Sequence, residues 1–424
     1  MKIVVGHRVL IFQSIFPNLV PQSNWKRQAP IEPLCHFALD DIASFALKST
    51  EPVPVLFGLP EIIWNDNQIL CSADLFGGIF FMLAGFEEIV SKARDSHERF
   101  PASASIASRE GFLHRPLADE YRMLILNMIK TLWPGFILPK VESTFKVSCD
   151  VDHPFDMSTR SLSAFLRTFG ADIIKRQSFP LALKRFLNYT LGQFNGSRFD
   201  PYFNFDWYMR LCEEFGHTVT FYFISGQSAG AIDGYYRIRE QRVLNLLKII
   251  SERGHKIGMH GSYNTFRDPA RLKKERAELI EALENAGVAS KVVDNRQHYL
   301  RWDAACTPDH LCSAGFQVDS TGGYADCPGF KFGTSQMFQM WSWQEMRPLK
   351  LYQKPLIAME GSLLSPLYLG LNEIEAMELL RELRNKTQRY GGEFSLLWHN
   401  STLVVKKERR IFSRCLSENS IGHH

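Results

Sequence analysis

The sequence predicts an α/β protein in which a closed or nearly closed (β/α) barrel follows a smaller α/β domain. Two observations support this prediction. Short β-type segments alternate with helical segments in the second part of the chain, which is typical of parallel βα units. Before them, Trp133-Pro134-Gly135 interrupts a helical pattern, as Pro and Gly commonly do. We therefore place a boundary near 138–142, between predicted domains at 1–140 and 141–424.

The composition describes a globular protein without a strong charge preference. The 424 residues include 49 Lys and Arg against 45 Asp and Glu, and the resulting net charge of +4 does not favour a nucleic acid partner. Hydrophobic residues make up 45% of the chain, which excludes an extensively disordered protein. The eight cysteines are scattered without a Cys-x-x-Cys motif, so we expect reduced thiols.

The apolar segments predict neither a signal peptide nor a transmembrane helix. The longest nearly apolar segment, Leu75–Phe86, is too short for a bilayer crossing, which needs roughly 20 residues. The first residues, Met1–Val5, are soon followed by His7 and Arg8, which interrupt any signal-peptide core. We therefore predict a cytoplasmic protein and interpret Lys2–Val5 as a strand.

Periodicity and end signals predict the remaining elements. In the N-terminal domain they indicate an apolar strand at Val53–Gly58 and helices at Asp74–Ala93 and Leu117–Leu132. The seven strands predicted for the barrel are Phe145–Val151, Thr218–Ser225, Lys256–Met259, Ser290–Val293, Gly315–Val318, Leu356–Met359 and Phe394–Trp398.

Several segments between these strands have clear helix end signals. One helix is expected to end at Gly254, and the next to begin at the N-cap Asp268 and end at Gly287. A third is expected at Asn372–Tyr390. The segment Arg176–Pro201 contains Pro, Asn and Gly, and we interpret it as an insertion or a long loop.

Two acidic residues occupy alternate positions at the end of the first predicted barrel strand. Because side chains alternate across a strand, Asp150 and Asp152 point to the same side. In such a pair, one carboxylate can bind a metal ion while the other accepts or donates a proton. The alternative is that one of them caps a helix or forms a turn with Ser158 and Thr159.

Further polar residues follow the later strands. Imidazole groups suit borderline metals, and an arginine near them could pair with a carboxylate or simply lie on the surface. Because barrel enzymes build their active sites at the carboxyl ends of the strands, we expect these side chains to meet. The residues in question are His260, Arg296, His298, Asp319 and His399.

Together these motifs resemble the NodB-type polysaccharide deacetylases, a family of carbohydrate esterases. The resemblance covers roughly 142–402 and implies a distorted seven-stranded (β/α) barrel. The N-terminal part is similar to an uncharacterised domain that precedes a bacterial branch of this family, at Val53–Gly58, Asp74, Phe80–Leu83 and Phe86–Glu88. The motifs that carry the main resemblance are Asp150-x-Asp152, Gly254-His255-x-Ile257-Gly258-x-His260, Arg296, Asp319-Ser320-Thr321 and Leu396-Leu397-Trp398-His399.

The resemblance implies a role for each matching residue. Asp150 takes the place of the catalytic base, and Arg296 that of the arginine which orients it. His399 matches the general acid. Asp152 and His260 match ligands of one divalent metal, usually zinc, with cobalt or manganese as alternatives.

The sequence departs from the family pattern at the second metal histidine. That position is Asn264, whose neutral oxygen is a poorer ligand for zinc. We retain Asn264 as the expected third ligand, with His153, Thr265 or water as alternatives.

Three residues near these motifs are predicted to contact the substrate, namely His298, Tyr263 and Asp319, with a metal contact as the alternative for His298. Other aromatic residues either stack on sugar rings or belong to the core. They are Trp302, Tyr324, Trp341 and Trp343.

The predicted function is hydrolysis of N- or O-acetyl groups on a sugar, glycan or glycan precursor by a metal-dependent enzyme. The alternative is a catalytically degenerate glycan-binding or polysaccharide-assembly protein, which the replacement by Asn264 would permit. A hydrolase of another carbon–nitrogen or carbon–oxygen bond is a third possibility, because a fold does not fix a substrate. The expected partner is an acetylated carbohydrate.

Overall fold

The computed structural model describes residues 1–16, 29–47, 49, 51–138, 142–195, 197–289 and 291–420. The strands are β1 (Lys2–Val5), β2 (Arg8–Phe12), β3 (Cys35–Phe37), β4 (Val53–Val55), β5 (Gly58–Asn65), β6 (Gln68–Ala73), β7 (Thr144–Val151), β8 (Val219–Ile224), β9 (Lys256–Gly261), β10 (Asp294–Gln297), β11 (Val318–Asp319), β12 (Phe338–Ser342), β13 (Arg347–Gln353), β14 (Ala358–Met359) and β15 (Glu393–Leu397). The α-helices are α1 (Leu39–Ala43), α2 (Leu75–Leu83), α3 (Phe86–Val90), α4 (Ile106–Arg109), α5 (Leu117–Leu132), α6 (Leu162–Ile174), α7 (Phe179–Asn195), α8 (Phe205–Glu214), α9 (Gln241–Glu252), α10 (Pro269–Asn285), α11 (Thr307–Ser313), α12 (Glu360–Leu364), α13 (Glu373–Tyr390) and α14 (Lys406–Ser420).

The N-terminal region contains a four-stranded sheet in the order β1-β2-β6-β5, with α2 and α5 in mutual contact. Strands β2 and β6 are parallel, and the other neighbours are antiparallel. Tyr121 of α5 is fully buried; its hydroxyl donates to Pro54 O at 2.5 Å and accepts from Leu56 N at 3.0 Å. These bonds attach α5 to the segment around β4. The predicted strand at Lys2–Val5 and helix at Leu117–Leu132 are confirmed.

The single helix predicted at Asp74–Ala93 is wrong, because the segment forms two helices. Asp74 caps α2 by accepting a hydrogen bond from Gly77 N at 2.8 Å. Gly85, with φ +62°, then separates α2 from α3 in a left-handed conformation that glycine adopts readily. The predicted strand at Val53–Gly58 is likewise divided between β4 and the first residue of β5.

The C-terminal region is built on a nine-stranded sheet in the order β12-β13-β11-β10-β9-β8-β7-β15-β14. Eight of these strands are parallel, and β12 is antiparallel to β13. The predicted α/β class with a mostly parallel sheet is therefore confirmed. The predicted seven-stranded barrel is not, because among the described residues β12 and β14 stand at opposite ends of an open order.

The largest difference in strand position concerns β10. The sequence predicts a strand at 290–293, where residue 290 lies outside the described residues, but the observed strand is Asp294–Gln297. Asn295, Arg296 and Gln297 are each at most 2% exposed and bond to neighbouring side chains. A strand that is buried and polar gives no hydrophobic signal, so an apolar pattern places it four residues too early.

The predicted helix ends are confirmed at three helices. Gly254 follows α9 with φ +77°, and Asp268 caps α10 by accepting from Arg271 N at 2.9 Å. The helix expected at Asn372–Tyr390 is α13, with Asn372 as its N-cap. Of the two alternatives for Arg176–Pro201, the long loop is wrong, because α7 spans most of the segment. One of its two prolines, Pro180, lies in the first helical turn, where the missing N–H has no intrahelical partner to lose.

The two regions are in direct contact. Trp343 packs in the apolar core of the N-terminal region, and its indole N–H donates to Ala84 O at 2.7 Å. Lys331 and Glu88, both almost fully buried, form an ion pair at 2.9 Å. The described helices include none with the length and hydropathy of a membrane-spanning segment.

Candidate metal and catalytic site

The candidate site lies where five parallel strands of the C-terminal sheet end. Asp150 is the penultimate residue of β7, and Asp152 directly follows that strand. His260 is near the end of β9, whereas His298 and His399 follow β10 and β15. Because β7, β8, β9, β10 and β15 are parallel neighbours, their carboxyl ends bring these side chains together.

Asp152 is the centre of this group. Its Oδ1 atom is 3.4 Å from His260 Nε2 and 3.6 Å from His298 Nε2, and its Oδ2 atom is 3.6 Å from His399 Nε2. Oδ1 is buried and has no hydrogen-bond partner in the described part of the chain. Burial alone raises the pKa of Asp152, but His298, His260 and His399 lower it well below its usual value. Asp152 is therefore a carboxylate.

Asp152, His260 and His298 could hold a metal ion. Each offers one ligand atom, and these three atoms lie within 4.8 Å of one another. One carboxylate oxygen and two imidazole nitrogens form a donor set that suits zinc and similar borderline ions. The unpartnered Oδ1 atom of Asp152 is consistent with a ligand position.

The orientation of His260 is set by the next strand. Its Nδ1–H donates to Arg296 O at 2.8 Å, which leaves Nε2 free to face the two aspartates. Nε2 is 3.4 Å from Asp152 Oδ1 and 3.6 Å from Asp150 Oδ2. A backbone acceptor behind a ligating imidazole fixes both its tautomer and its direction.

The orientation of His298 is set by a buried carboxylate, Asp233. His298 Nδ1 lies 3.0 Å from Asp233 Oδ1. Burial lowers the pKa of His298, but Asp152 and Asp233 raise it to about 9. Asp233 is itself held by the N–H groups of Ser228, Ala229 and Tyr263 at 2.6–2.7 Å. Although burial raises the pKa of Asp233, these bonds and His298 lower it to about 2.

Asp150 is paired with Arg296. The guanidinium Nη1 is 3.0 Å from Asp150 Oδ1 and also donates to Ser148 Oγ at 2.7 Å, while Nε donates to Ser320 O at 3.0 Å. The guanidinium also stacks over the ring of Tyr222, 4.5 Å from its centroid. With its donors occupied on three sides, Arg296 is immobile, and it fixes one oxygen of Asp150 while the other faces His260.

His399 approaches Asp152 from the opposite side and is held by Glu360. Its Nδ1 makes a short hydrogen bond to Glu360 Oε1, which also accepts from the backbone N–H of His399 at 3.2 Å. Burial lowers the pKa of His399, but Glu360, Asp152 and Asp150 raise it to about 10. Its Nε2 therefore carries a proton that points towards the aspartates.

These groups line a cavity of about 200 Å³. One wall comes from the N-terminal region, since Arg99 donates to Tyr299 O at 2.9 Å and to the Tyr368 hydroxyl at 3.3 Å. The backbone at Tyr299 and Leu300 is left-handed, with φ values of +61° and +55°. The lining residues are Arg99, Asp150, Asp152, His153, Ile232, His260, His298, Tyr299, Leu300, Ala325, Met359, Tyr368 and His399.

Two of the predicted site residues lie away from this group. The amide of Asn264 accepts from Arg301 at 2.9 Å and donates to Ser228 O at 3.1 Å on an exposed turn, so the expected metal ligand is occupied elsewhere. Asp319 is fully buried, where it accepts from Thr321 and Asn295; burial raises its pKa to about 6 despite these bonds. It is therefore a structural residue and does not line the cavity.

The predicted aromatic contacts also differ from the structure. The hydroxyl of Tyr263 bonds to His97 Nδ1 at 2.9 Å, and the ring lies under Arg301 at 4.0 Å. Tyr263 thus connects the two regions beside the cavity, which it does not line. Three of the other aromatic residues, Trp302, Tyr324 and Trp343, are buried in the core, and Trp341 packs against Phe80 with centroids 5.1 Å apart.

Several residues of the site were not predicted from the sequence, among them Asp233, Glu360, Arg99 and Tyr299. A signal existed for Glu360, because it directly follows a predicted strand, as the other polar site residues do. Asp233 lies in a 3-10 turn, Gly230–Asp233, with no periodic pattern. Arg99 comes from a segment about 200 positions earlier than its partner Tyr299. No local pattern indicates such a contact.

Comparisons with known proteins concern both regions. Residues 11–134, which include Arg99, match a family of unknown function, DUF7033. A search of curated proteins gave no match. Among solved structures, the chain is similar to a Mycobacterium smegmatis protein described as a candidate polysaccharide deacetylase, at 19% identity and a TM-score of 0.43. The similarity covers 68% of this chain and 87% of that one.

Proposed function

We propose that the protein is a metal-dependent hydrolase that removes an acetyl group from a sugar, glycan or glycan precursor. The observation that carries the proposal is the arrangement around Asp152. Two imidazoles face one of its oxygens, Asp150 lies on one side, and the protonated His399 lies on the other. A metal ion bound by these groups would have a base on one side and an acid on the other, which is the arrangement that acetyl hydrolysis requires.

The proposed metal ligands are Asp152, His260 and His298. A divalent ion bound there would polarise the acetyl carbonyl and lower the pKa of a bound water. His298 supplies the second imidazole that the sequence pattern assigns to the position of Asn264. This weakens one of the two arguments for a catalytically degenerate protein, the missing histidine; the other is the absence of a predicted signal peptide.

Asp150 is the proposed base. Its Oδ2 atom faces the ligand cluster, while Oδ1 is held by Arg296 at 3.0 Å. A fixed carboxylate at this position can accept the proton of the attacking water without first reorienting. Arg296 is fully buried and does not line the cavity, so we assign it a positioning role behind the base.

His399 is the proposed acid. With Nδ1 bonded to Glu360, its Nε2–H is the proton that faces the cavity. Without a proton, the sugar nitrogen or oxygen would have to depart as an amide anion or an alkoxide, and both are poor leaving groups. Transfer from Nε2 to that atom completes the reaction, with acetate and the free sugar amine or alcohol as products.

A test of this proposal measures acetate release and metal content together. The protein is loaded with zinc or cobalt and offered acetylated amino sugars, nucleotide sugars and oligosaccharides. We expect acetate release that Asp150→Asn lowers by about 10²- to 10⁴-fold without loss of bound metal. Asn264→Ala is the matched control and should keep both metal and activity.

Two outcomes would contradict the proposal. The first is a protein that neither binds metal nor releases acetate from any of these substrates. The second is tight sugar binding that Asp150→Asn leaves unchanged in the absence of any turnover, which would favour the glycan-binding alternative.

A further inference from the structure

Helices α6 and α7 form a hairpin at 162–195, here called the α6–α7 hairpin. Its helices pack on each other, with the rings of Phe165 and Tyr189 stacked at 4.3 Å, and on the preceding 3-10 turn, Met157–Arg160. Arg185 is buried between the two helices and the turn, where it pairs with Asp172 at 2.6 Å and with Asp156. The hairpin is therefore firmly attached to the rest of the protein.

The outer surface of the α6–α7 hairpin is unusually apolar. On α7, Phe179, Leu183 and Phe186 follow one another at helical spacing and are 70%, 47% and 45% exposed. On α6 the exposed apolar side chains continue this pattern, so each helix has a buried face and a second apolar stripe. The further exposed residues of the hairpin are Leu162, Leu166, Ile173, Ile174 and Leu191.

The charge of the same segment is strongly unbalanced. Residues 160–195 contain six Lys and Arg but only one acidic residue, Asp172. This excess is larger than the net charge of +4 of the entire chain. Two of the six cations are paired, since Arg176 and Arg185 both bond to the buried Asp172 and Arg185 also bonds to Asp156. Arg167 and Lys175 are both exposed.

We propose that the α6–α7 hairpin is a docking surface for an anionic lipid bilayer. A fixed helical surface that combines Phe, Leu and Ile with Lys and Arg is suited to the interface of a membrane, where the apolar groups enter the lipid and the cations meet the headgroups. A second copy of this chain is a poorer occupant, because it would bring two surfaces of the same positive charge together.

The position of the α6–α7 hairpin relates this surface to the cavity. Arg160, at the base of the hairpin, stacks on Tyr235 at 4.3 Å, and Ile232 in the same loop lines the cavity and is 42% exposed. The turn that precedes the hairpin is therefore in contact with a loop that contributes Ile232 to the cavity wall.

The test is sedimentation of the full chain with lipid vesicles. We expect binding to vesicles that mix phosphatidylcholine and phosphatidylglycerol, little binding to phosphatidylcholine alone, and weaker binding as salt is raised. The combined variant Leu166→Ser, Phe179→Ser and Leu183→Ser should lower the bound fraction by more than about tenfold. The combined variant Arg167→Glu and Lys175→Glu should remove the preference for the anionic lipid.

A matched control substitutes exposed apolar residues elsewhere. Ile63→Ser and Ile374→Ser, at residues 64% and 67% exposed, should leave vesicle binding unchanged. The proposal is wrong if the wild type does not bind anionic vesicles, or if hairpin and control variants bind alike. It is also wrong if the wild type is a dimer that the hairpin variant converts to a monomer while no vesicle binding is seen. The assay needs no turnover, so its outcome is independent of the proposed hydrolase activity.

Discussion

The cavity buries charged groups, whereas the α6–α7 hairpin exposes large apolar ones. In the cavity, Asp150 and His298 are each at most 3% exposed, and their charges are balanced by Arg296 and Asp233 within hydrogen-bond distance. On the hairpin, Phe179 is 70% exposed. Both arrangements cost free energy in a protein that only needs to fold. Buried charged groups and exposed apolar groups therefore both indicate functional surfaces, but the first suit a metal ion and a polar substrate, whereas the second suit an apolar partner.

The largest expected effect concerns the proposed acid. His399→Gln removes the proton donor while keeping a polar side chain, and should lower acetate release from an N-acetyl sugar by about 10²- to 10⁴-fold. An activated ester such as an aryl acetate has a leaving group that needs no proton, so its hydrolysis should fall much less. Initial rates on both substrates measure the difference. An equal loss on both would show that His399 does not act as an acid.

The second prediction concerns the carboxylate behind His298. Asp233→Asn keeps the shape of the side chain but removes the charge that orients the imidazole, and should weaken zinc binding by about 10- to 100-fold. Competition with a chromophoric chelator measures the affinity. Asp319→Asn, at an equally buried acid that does not line the cavity, is the control. Unchanged affinity in Asp233→Asn would exclude His298 from the ligand set.

The third prediction is the pH dependence of stability without metal. His298 and His399 have pKa values raised to about 9 and about 10 in the folded protein, above the 6.5 of an ordinary imidazole. Their stabilising contribution is therefore complete below about pH 6.5 and is lost as the pH rises through about 9 and 10. The thermal midpoint of chelator-treated protein, followed by circular dichroism, should fall across this range. A midpoint that stays constant there, or rises, would contradict the raised pKa values.

The smallest effect is expected on the outer surface of the hairpin. Phe179→Ser should change the free energy of unfolding by no more than about 0.5 kcal/mol, because the side chain is already in water. Phe165→Ser is the matched change at a buried position of the hairpin, 6% exposed, and should be clearly destabilising. Urea unfolding of both variants measures the contrast. Equal destabilisation would mean that Phe179 is covered in solution.

The fold was predictable from the sequence where apolar residues form the elements. The buried strands β7, β8, β9 and β15 have apolar patterns, and the helix ends carry Asp, Asn and Gly at the expected positions. Strand β10 was misplaced because its residues are polar. The closure of the sheet was not predictable, since local periodicity contains no information on which strands form the two ends of the order.

The site was predictable to the extent that it follows strand ends. Asp150, Asp152, His260 and His399 were identified in this way, and the structure brings them together. The roles of His298 and Asn264 were not, because the spacing of two residues along one segment does not show which of them turns towards the cluster. Asn264 lies on a turn that Arg301 holds away from it, whereas Asp233 directs His298 inwards.

The hydrogen bond between Arg99 and Tyr299 O connects the N-terminal region to a loop of the C-terminal region beside the cavity. Two consecutive non-glycine residues with positive φ, Tyr299 and Leu300, store strain of about 1–3 kcal/mol each. Arg99 of the N-terminal region donates to the carbonyl of Tyr299 within this strained segment. We therefore expect that removal of the first 134 residues would affect the backbone of this loop as well as the cavity wall that contains Arg99. The loop beside His298 would lose its bond to Arg99, and the backbone at Tyr299 and Leu300 would be free to relax, while Asp233 would still hold the imidazole of His298.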